Sequence, residues 1–283
     1  MPANVTKISN TTYSQLIIDT FTLDSPLLNR AVKVDFYKPK NVASSNYLSL
    51  LLINDGQDME LAGFANTLNT FIETDAIAPL FAVGIHCSDD RKNEYGTALI
   101  TDYKGRGTKA KAYQNFVLQE LLPFIRTQYN IVAFRDKAFA GFSLGGLSAL
   151  DTVWNNAQEF NKVGVFSGSL WWRSKSSKGE AFDEDKDRIM HQQIRAGQYY
   201  PWLKFFFQCG LQDEKADRNN NGIIDSVDDT QDLIKELEQK GYNKNNDLEY
   251  LELADGKHDV PTWGRAIPQF LKWGWGINNE TMD

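Results

Sequence analysis

A serine flanked by glycines is the residue of this chain best placed for covalent chemistry. Ser143 lies in the stretch GFSLGG (141–146), after a short apolar run at 137–140 and before apolar residues at helical spacing (147–154). A G-x-S-x-G turn between a strand and a helix is a nucleophile elbow, whose strained backbone exposes the serine hydroxyl. The flanking glycines remove side chains that would collide across this turn. The pattern predicts a nucleophile, and the alternative is a glycine-rich helix start capped by the serine.

A serine hydroxyl needs a base beside it, and histidine is the usual base because its pKa of ~6.5 suits proton transfer at neutral pH. The chain has three histidines, His86, His191 and His258. In α/β-hydrolases the triad runs serine, acid, histidine along the chain. His86 precedes Ser143, and His191 lies in a charged stretch where we expect a solvated side chain. His258, after the last predicted strand, is the predicted base, and the alternative is a structural histidine that bonds a loop carbonyl.

The acid of such a triad must lie between the serine and the histidine, at the end of the preceding parallel strand. Asp213 and Glu214 occupy that place. Either carboxylate can orient the imidazole and stabilise the imidazolium that forms. We favour Asp213, with Asp259 as a more distant candidate. The alternative is that Asp213 and Glu214 are ordinary carboxylates in a helical first turn.

Attack by a serine on a carbonyl carbon gives an oxyanion, which needs two backbone N–H donors. One is expected from Leu144, which follows the predicted nucleophile, and the other from the loop after an early buried strand. We favour Gln57 in that loop, because Gly56 gives the chain room to turn. The alternative is a plain turn.

A calcium-like loop follows the predicted acid. Residues 217–228 match a 12-residue EF-hand-type loop, with glycine at position 6 and a helix expected afterwards. Position 12 is an aspartate, as in the loops of dockerin domains. The alternative is a polar turn that needs no ion. The predicted ligands are Asp217, Asn219, Asn221, Ile223 through its carbonyl, Asp225 and Asp228.

Composition narrows the class of protein further. The 283 residues carry a net charge of −7, which argues against nucleic acid as a partner because phosphate binding needs a basic face. No apolar run approaches the ~20 residues of a membrane helix. The first residues show no secretory signal, so we expect a cytoplasmic protein, or a periplasmic or secreted one if a signal was trimmed. The oligomeric state stays open.

Alternating strands and helices predict an α/β fold with a mostly parallel central sheet, antiparallel N-terminal strands and helices on both faces. Two alternating stretches at 15–21 and 31–37 form the antiparallel pair. Later strands are expected at 47–53, 79–85, 137–140, 161–166, 203–208 and 248–253. Helices are expected up to about residue 73, and at 113–129, 147–154, 230–240 and 263–273. We expect one domain over 1–283, with the charged residues 173–200 as a surface insertion that is either irregular or helical.

These motifs together resemble the esterase family of α/β-hydrolases that includes enterochelin-type, feruloyl and acetyl-xylan esterases and esterase D-like enzymes. The resemblance covers about 28–275 and is carried by LINDG (52–56), RKNEY (91–95), the serine elbow, SGSLWW (167–172), GLQD (210–213) and GKHD (256–259) with Trp263. It implies the triad Ser143, Asp213 and His258, with Leu144 and the loop near Gln57 as the oxyanion hole.

The same resemblance implies a substrate pocket walled by Trp171 and Trp172, although core packing is the commoner role of a tryptophan. Arg91 either pairs with Glu94 or meets an anionic substrate. The predicted function is hydrolysis of carboxylic esters of small molecules or carbohydrates (sugar, aromatic or siderophore esters) through an acyl-enzyme, with no catalytic cofactor and a possible structural Ca²⁺. Rival functions are acyl transfer, thioesterase or peptidase chemistry on the same triad, or a non-catalytic carbohydrate-binding protein.

Overall fold

One nine-stranded sheet organises the molecule in the computed structural model, which describes residues 1–41, 48–178 and 182–277. The strand order is β1-β2-β3-β5-β4-β6-β7-β8-β9. β1 to β3 and the β3–β5 pair are antiparallel, and all the pairs from β5 through β4 to β9 are parallel. The strands are β1 Val5–Thr12, β2 Leu16–Ser25, β3 Arg30–Pro39, β4 Ser49–Asn54, β5 Leu80–Ile85, β6 Lys137–Phe142, β7 Lys162–Phe166, β8 Lys204–Gln212 and β9 Leu248–Lys257.

Helices cover both faces of this sheet. They are α1 Phe64–Glu73, α2 Arg91–Glu94, α3 Ala110–Asn115, α4 Leu122–Tyr129, α5 Leu144–Asn155, α6 Glu184–Asp187, α7 Ile189–Ala196, α8 Asp225–Lys240 and α9 Val260–Trp275. A short 3₁₀ turn (Gly56–Asp58) follows β4, and one π-helical segment (Phe116–Leu121) joins α3 to α4. The predicted helix over 113–129 is therefore present, with a wider turn in its middle.

The two faces of β4 show why the sheet has two hydrophobic cores. Successive side chains of a strand point to opposite faces. Leu50 and Leu52 join the core under α3, α4, α5, α7 and α8, whereas Leu51 and Ile53 join the core under α1 and α9. Every residue of β4 is buried, as expected of a central strand in a parallel sheet covered on both sides. The predicted fold class is confirmed.

Several element boundaries differ from the sequence prediction. β1 was not predicted, because its eight residues are all exposed and lack a buried apolar alternation. α8 begins at Asp225 rather than at residue 230, since its first turn is acidic instead of apolar. The start predicted for β4, Tyr47, lies outside the described residues.

The described part of the charged segment 173–200, predicted as an irregular or helical surface insertion, is partly helical and has buried side chains. It contains α6 and α7, and α7 packs against α8 with Ile189, Met190 and Ile194 buried. No helix in the described ranges is both long enough and apolar enough to cross a bilayer.

Candidate active site

The turn between β6 and α5 has the backbone of a nucleophile elbow. Ser143 has φ 52° and ψ −119°, outside the regions that L-residues prefer. A Cβ at Gly141 would collide with the backbone of Gly145, so the turn requires glycine there. The Ser143 N–H donates to the carbonyl of Phe166 on β7 (2.8 Å), and its own carbonyl accepts the N–H of Gly146 (3.1 Å). The strand–turn–helix context predicted for this serine is therefore present.

His258 meets Ser143 directly. Its Nε2 lies 2.8 Å from Ser143 Oγ, although 115 residues separate the two in the chain. Trp263 on α9 packs edge-on against the imidazole (centroids 5.3 Å apart, 85°) and stacks on Phe142 (4.9 Å, 7°). The indole N–H of Trp263 donates to Ser167 Oγ (3.0 Å). The tryptophan thus fixes the histidine loop against the elbow.

Asp213 lies behind the imidazole. Its Oδ2 is 3.9 Å from His258 Nδ1, and its side chain is 0 % exposed. Within the described ranges it is the only carboxylate within 4 Å of either ring nitrogen, and neither of its oxygens accepts a hydrogen bond. An unpaired buried carboxylate is costly, and an Nδ1–H at a shorter separation would satisfy it. A register shift between β8 and β9 beside Gly210 brings the two strand ends together.

The two other candidates for the acid, Glu214 and Asp259, lie in environments that suit this role less well. Partial burial and then the charge of Asp225 raise the pKa of Glu214, which weakens it as a partner for an imidazolium. Asp259 is the N-cap of α9, where its Oδ1 accepts the N–H of Thr262 (2.9 Å). Hydrogen bonding by Thr262, first through its side chain and then through its N–H, lowers the pKa of Asp259. Capping of α9 thus accounts for this aspartate without a role in a triad.

A second hydroxyl lies beside the serine. Ser169 Oγ is 3.3 Å from Ser143 Oγ, and the Ser169 N–H donates to the Ser143 carbonyl (3.1 Å). Ser143 has a single hydroxyl proton. When that proton points to His258, the proton shared between the two serines must come from Ser169. The sequence analysis did not predict that Ser169 donates a hydrogen bond to Ser143. The SGS stretch at the end of β7 could have indicated it, because β7 is the neighbour of β6 in the sheet.

A buried ion pair links the β4 loop to the elbow. Asp55 is 1 % exposed and has φ 61°. Arg91 binds it through Nε and Nη2, both at 2.7 Å, and Nη2 also donates to the carbonyl of Phe142 (3.3 Å). The predicted alternative that Arg91 pairs with Glu94 is wrong, because Glu94 accepts two bonds of 2.7 Å from Arg30 instead. Asp55 was not singled out from the sequence.

The two predicted oxyanion donors lie on the expected elements. Leu144 is the first residue of α5, where helical N–H groups have no partner in the helix. Gln57 lies in the 3₁₀ turn after β4, and its side-chain Oε1 accepts the N–H of Cys87 (3.1 Å). Among the described residues, neither Leu144 nor Gln57 donates its backbone N–H to a partner. Both N–H groups are thus available for an oxyanion.

A cavity of about 540 Å³ opens over Ser143 and His258. Its wall includes Gln57, Arg91, Pro261 and Trp263.

The structure separates the two tryptophans predicted for the pocket. Trp172 cannot line it, because the side chain is 0 % exposed and its N–H donates to Thr97 (3.1 Å). Gly96 and Gly107 leave the space that the ring of Trp172 fills. Trp171 is half-buried, lies under the guanidinium of Arg106 (4.9 Å) and is absent from the cavity wall. A direct contact of Trp171 with a substrate stays a prediction.

The calcium-like loop has several backbone features of its motif. Asp217 accepts the N–H groups of Asn221 (3.1 Å) and Gly222 (2.9 Å), and Gly222 has φ +86°. α8 starts at position 9 of the loop, Asp225, which accepts the Arg218 N–H (2.8 Å).

The predicted ligand side chains of this loop bind one another or Arg218. Asp228 accepts the side-chain amides of Asn219 (2.9 Å) and Asn221 (3.2 Å). The Arg218 guanidinium lies 3.2 Å from Asp225. No group of three His, Cys, Asp or Glu side chains in the described residues has a metal-binding arrangement.

His191 is not solvated, which corrects the sequence prediction. The side chain is buried between α7 and α8, and its Nε2 bonds the carbonyl of Asp229 (2.9 Å). Burial, and then the charge of Arg188, lower the pKa of His191 to about 3. His191 is thus a neutral, buried residue with a structural role, and it is not a candidate for the catalytic base.

The nine-stranded sheet and the elbow define an α/β-hydrolase, and comparison with known proteins gives the family. The model of the "Putative esterase" family matches residues 25–273. The chain therefore belongs to this family, and the resemblance noted in its sequence is confirmed.

Individual relatives are distant. The chain is 26% identical to the iron(III) enterobactin esterase of Escherichia coli over 160 residues, which are 55% of this chain and 34% of that protein. A crystal structure of the enterobactin esterase from Shigella flexneri with enterobactin has a TM-score of 0.66 at 21% identity, covering 90% of this chain and 57% of that one. The siderophore hydrolase EstB of Aspergillus nidulans has a TM-score of 0.64 at 15% identity, covering 94% and 98%.

The chain thus spans about a third of the curated esterase and rather more than half of the Shigella enzyme. The family supports an esterase, and the structural likenesses show the shared fold.

Proposed function

We propose that the chain is a serine esterase that hydrolyses carboxylic esters through an acyl-enzyme, with Ser143, His258 and Asp213 as the triad. The observation that carries the proposal is the 2.8 Å contact between His258 Nε2 and Ser143 Oγ at a strained elbow. A hydroxyl bonded to an imidazole is the arrangement that activates a serine. Membership of an esterase family supports the same reaction class.

In the first half of the reaction Ser143 Oγ attacks the carbonyl carbon of the ester while His258 Nε2 takes the hydroxyl proton. The carbonyl electrons move to the oxygen, which the N–H groups of Leu144 and Gln57 stabilise. The bond to the alcohol then breaks, and His258 returns the proton to the departing alkoxide. Asp213 balances the positive charge of the imidazolium, and it accepts the Nδ1–H when the separation of 3.9 Å shortens to hydrogen-bond distance.

In the second half a water molecule attacks the acyl-enzyme. His258 takes one proton from this water, and the carboxylic acid leaves when the bond to Ser143 Oγ breaks. The proton passes back to Ser143, which restores the enzyme. Donation from Ser169 to Ser143 Oγ stabilises the oxygen while negative charge develops on it.

Hydrolysis of p-nitrophenyl acetate tests this proposal. Wild type is expected to turn over, while Ser143→Ala and His258→Ala lose at least about 10³-fold in kcat. Ser148→Ala is the matched control, because Ser148 is a buried serine on α5, the helix after the elbow, and no hydrogen bond among the described residues joins it to the triad. Equal activity of Ser143→Ala and Ser148→Ala would overturn the proposal.

We also propose that the loop 217–228 binds one structural Ca²⁺. The support is the match of oxygen-bearing residues to six ligand positions, the positive φ of Gly222 and the start of α8 inside the loop. Binding requires that the carboxylate of Asp228 exchange its amide partners for the ion and that Arg218 move away from Asp225. Because the loop begins four residues after Asp213, the bound ion would stiffen the segment that carries the acid.

Thermal unfolding after chelation tests this site. Adding Ca²⁺ is expected to raise the Tm of the wild type and of Asp89→Asn, an exposed control outside the loop. The Tm of Asp225→Asn is expected not to change when Ca²⁺ is added. Isothermal titration with CaCl₂ should show binding to the wild type and no binding to Asp225→Asn. A wild-type Tm that does not respond to Ca²⁺ removes the proposal.

A further inference from the structure

The two N–H groups proposed for the oxyanion hole belong to different segments of the chain. Leu144 opens α5 after β6, and Gln57 lies in the 3₁₀ turn after β4. Both donors must reach one oxygen at about 2.7–3.1 Å, so their separation matters for the reaction. The ladder between β4 and β6 ends with the pair Ile53 and Ala140. Contacts beyond this pair therefore decide how the two donors lie relative to each other.

Asn54, the last residue of β4, supplies a direct hydrogen bond between the two segments. Its Nδ2 donates to the carbonyl oxygen of Gly145 in the first turn of α5 (2.8 Å), and the residue is 0 % exposed. The segments approach closely here, because a Cβ at Gly145 would lie 3.0 Å from Asn54 Cβ and 2.5 Å from Asp55 Oδ2. This bond lies next to Leu144 on one side and three residues before Gln57 on the other.

Tyr113 on α3 fixes the orientation of the Asn54 amide. The Tyr113 hydroxyl is buried and lies 2.5 Å from Asn54 Oδ1. A carbonyl oxygen can only accept a hydrogen bond, so Nδ2 must face Gly145 and Oδ1 must face the tyrosine. The hydroxyl of Tyr113 is therefore the donor. Without it, the amide could rotate and set Oδ1 against the carbonyl of Gly145, where two acceptors repel each other.

A second tyrosine holds the residue that follows Asn54. The Tyr95 hydroxyl accepts the N–H of Asp55 (3.2 Å), and the rings of Tyr95 and Tyr113 pack at 5.1 Å and 67°. Asp55 has φ 61°, a conformation that L-residues rarely adopt. The described lining of the cavity over Ser143 does not include Asn54, Tyr95 or Tyr113. These side chains can therefore affect the reaction only through the backbone that they hold.

We propose that Asn54, oriented by Tyr113, is a positioning residue that sets the separation of the two N–H donors of the oxyanion hole. The inference rests on the proposed esterase function. Because the donors act on the oxyanion and not on the bound ester, loss of this positioning should lower kcat and leave KM nearly unchanged.

The variant Tyr113→Phe keeps the ring and removes the hydroxyl. Deleting an oxyanion donor costs about 10²–10³ in kcat, so a displaced donor is expected to cost less, about tenfold, with KM within about twofold. The assay is hydrolysis of p-nitrophenyl acetate per active site, counted by fluorophosphonate titration so that unfolded protein is excluded. Tyr242→Phe is the matched control, because Tyr242 is also buried and its hydroxyl accepts the N–H of Tyr200 (3.0 Å). Equal kcat of the two variants would overturn the proposal.

An alkyl trifluoromethyl ketone tests whether the effect acts through the oxyanion hole. Ser143 Oγ adds to the ketone carbon, the carbonyl electrons move to the oxygen, and His258 takes the hydroxyl proton. The adduct therefore needs the same two N–H donors as the reaction. In Tyr113→Phe its inhibition constant should rise by the factor by which kcat/KM falls, about tenfold. A lower kcat with an unchanged inhibition constant would contradict the proposed role.

The nearly isosteric variant Asn54→Leu gives a second test, which also serves if Tyr113→Phe does not fold. It removes the bond to Gly145 itself, so kcat should fall at least as far as in Tyr113→Phe. The double variant should have the kcat of Asn54→Leu within about twofold, because the tyrosine acts through the asparagine. Losses that multiply would contradict this order of action.

These measurements separate the positioning role from the esterase function. An active wild type whose kcat and inhibition constant are unchanged by Asn54→Leu would remove the positioning role alone. A wild type that does not hydrolyse p-nitrophenyl acetate would instead remove the proposed esterase, and the positioning role with it.

Discussion

Replacing Arg91 by methionine tests whether the buried pair with Asp55 holds the β4 loop against the elbow. Methionine keeps much of the apolar side-chain stem and removes the guanidinium. The change deletes two bonds of 2.7 Å to Asp55 and one of 3.3 Å to the carbonyl of Phe142. Because Asp55 is 1 % exposed, its carboxylate is then left charged in the interior.

The size of the effect follows from that stranded charge. Removing one partner of a buried ion pair costs about 3–5 kcal/mol, because the other charge keeps its desolvation penalty. Arg91 is 29% exposed, so water reaches part of the pair, and we expect a loss near the lower end, about 3 kcal/mol. Adding Asp55→Asn should recover part of this loss, since the double variant has no buried charge.

Urea denaturation of purified variants measures these differences. Arg265→Met is the matched control, because Arg265 makes the same two-bond contact with Asp255 at the exposed surface, where such pairs contribute little. A loss for Arg91→Met no larger than that for Arg265→Met would refute the reasoning. Esterase activity of folded Arg91→Met should also fall, because the loop carrying Gln57 loses its anchor.

Three further predictions follow from other contacts of the structure. Ser169→Ala should lower kcat about five- to tenfold with little change in KM, because Ser143 Oγ loses one donor; steady-state kinetics showing an unchanged kcat would contradict this. Gly210→Ala should lower kcat, because a Cβ there lies 2.5 Å from the backbone of Gly256 and 2.6 Å from Asp213 Oδ1 and so displaces the two strand ends that carry the base and the acid; a wild-type kcat would contradict this close fit. His191, with its pKa lowered to about 3, is neutral when folded, so wild-type stability should fall as the pH drops below the unfolded value of ~6.5, by about 2 kcal/mol at pH 5. His191→Gln should flatten this acid limb in denaturation curves, and an identical slope would disprove the assignment.

The features of this protein that the sequence predicts well are those encoded by short local patterns of residues. The elbow is specified by glycines within two residues of Ser143, and the buried strands by continuous apolar runs. His258 follows from the order of a triad along the chain. Each of these inferences uses residues that are close in the sequence or a rule about the order of residues along the chain. None of them depends on which side chains are in contact.

The contacts that were missed join distant segments. Asp55 and Arg91 are 36 residues apart, and only the fold shows that they pair. His191 looked solvated because its neighbours are charged, yet α7 packs on α8 and buries it. Trp172 looked like a pocket wall, whereas two glycines from another loop enclose its ring. Side-chain partners of this kind are set by packing, which periodicity does not encode.

Covalent trapping by a fluorophosphonate tests the central claim most directly, because the reagent reacts with a serine activated by a base. Peptide mass spectrometry of the labelled protein is predicted to locate one adduct on Ser143, with labelling lost in His258→Ala and kept in Ser148→Ala. Labelling of another residue, or equal labelling of Ser143 in wild type and His258→Ala, would contradict the account.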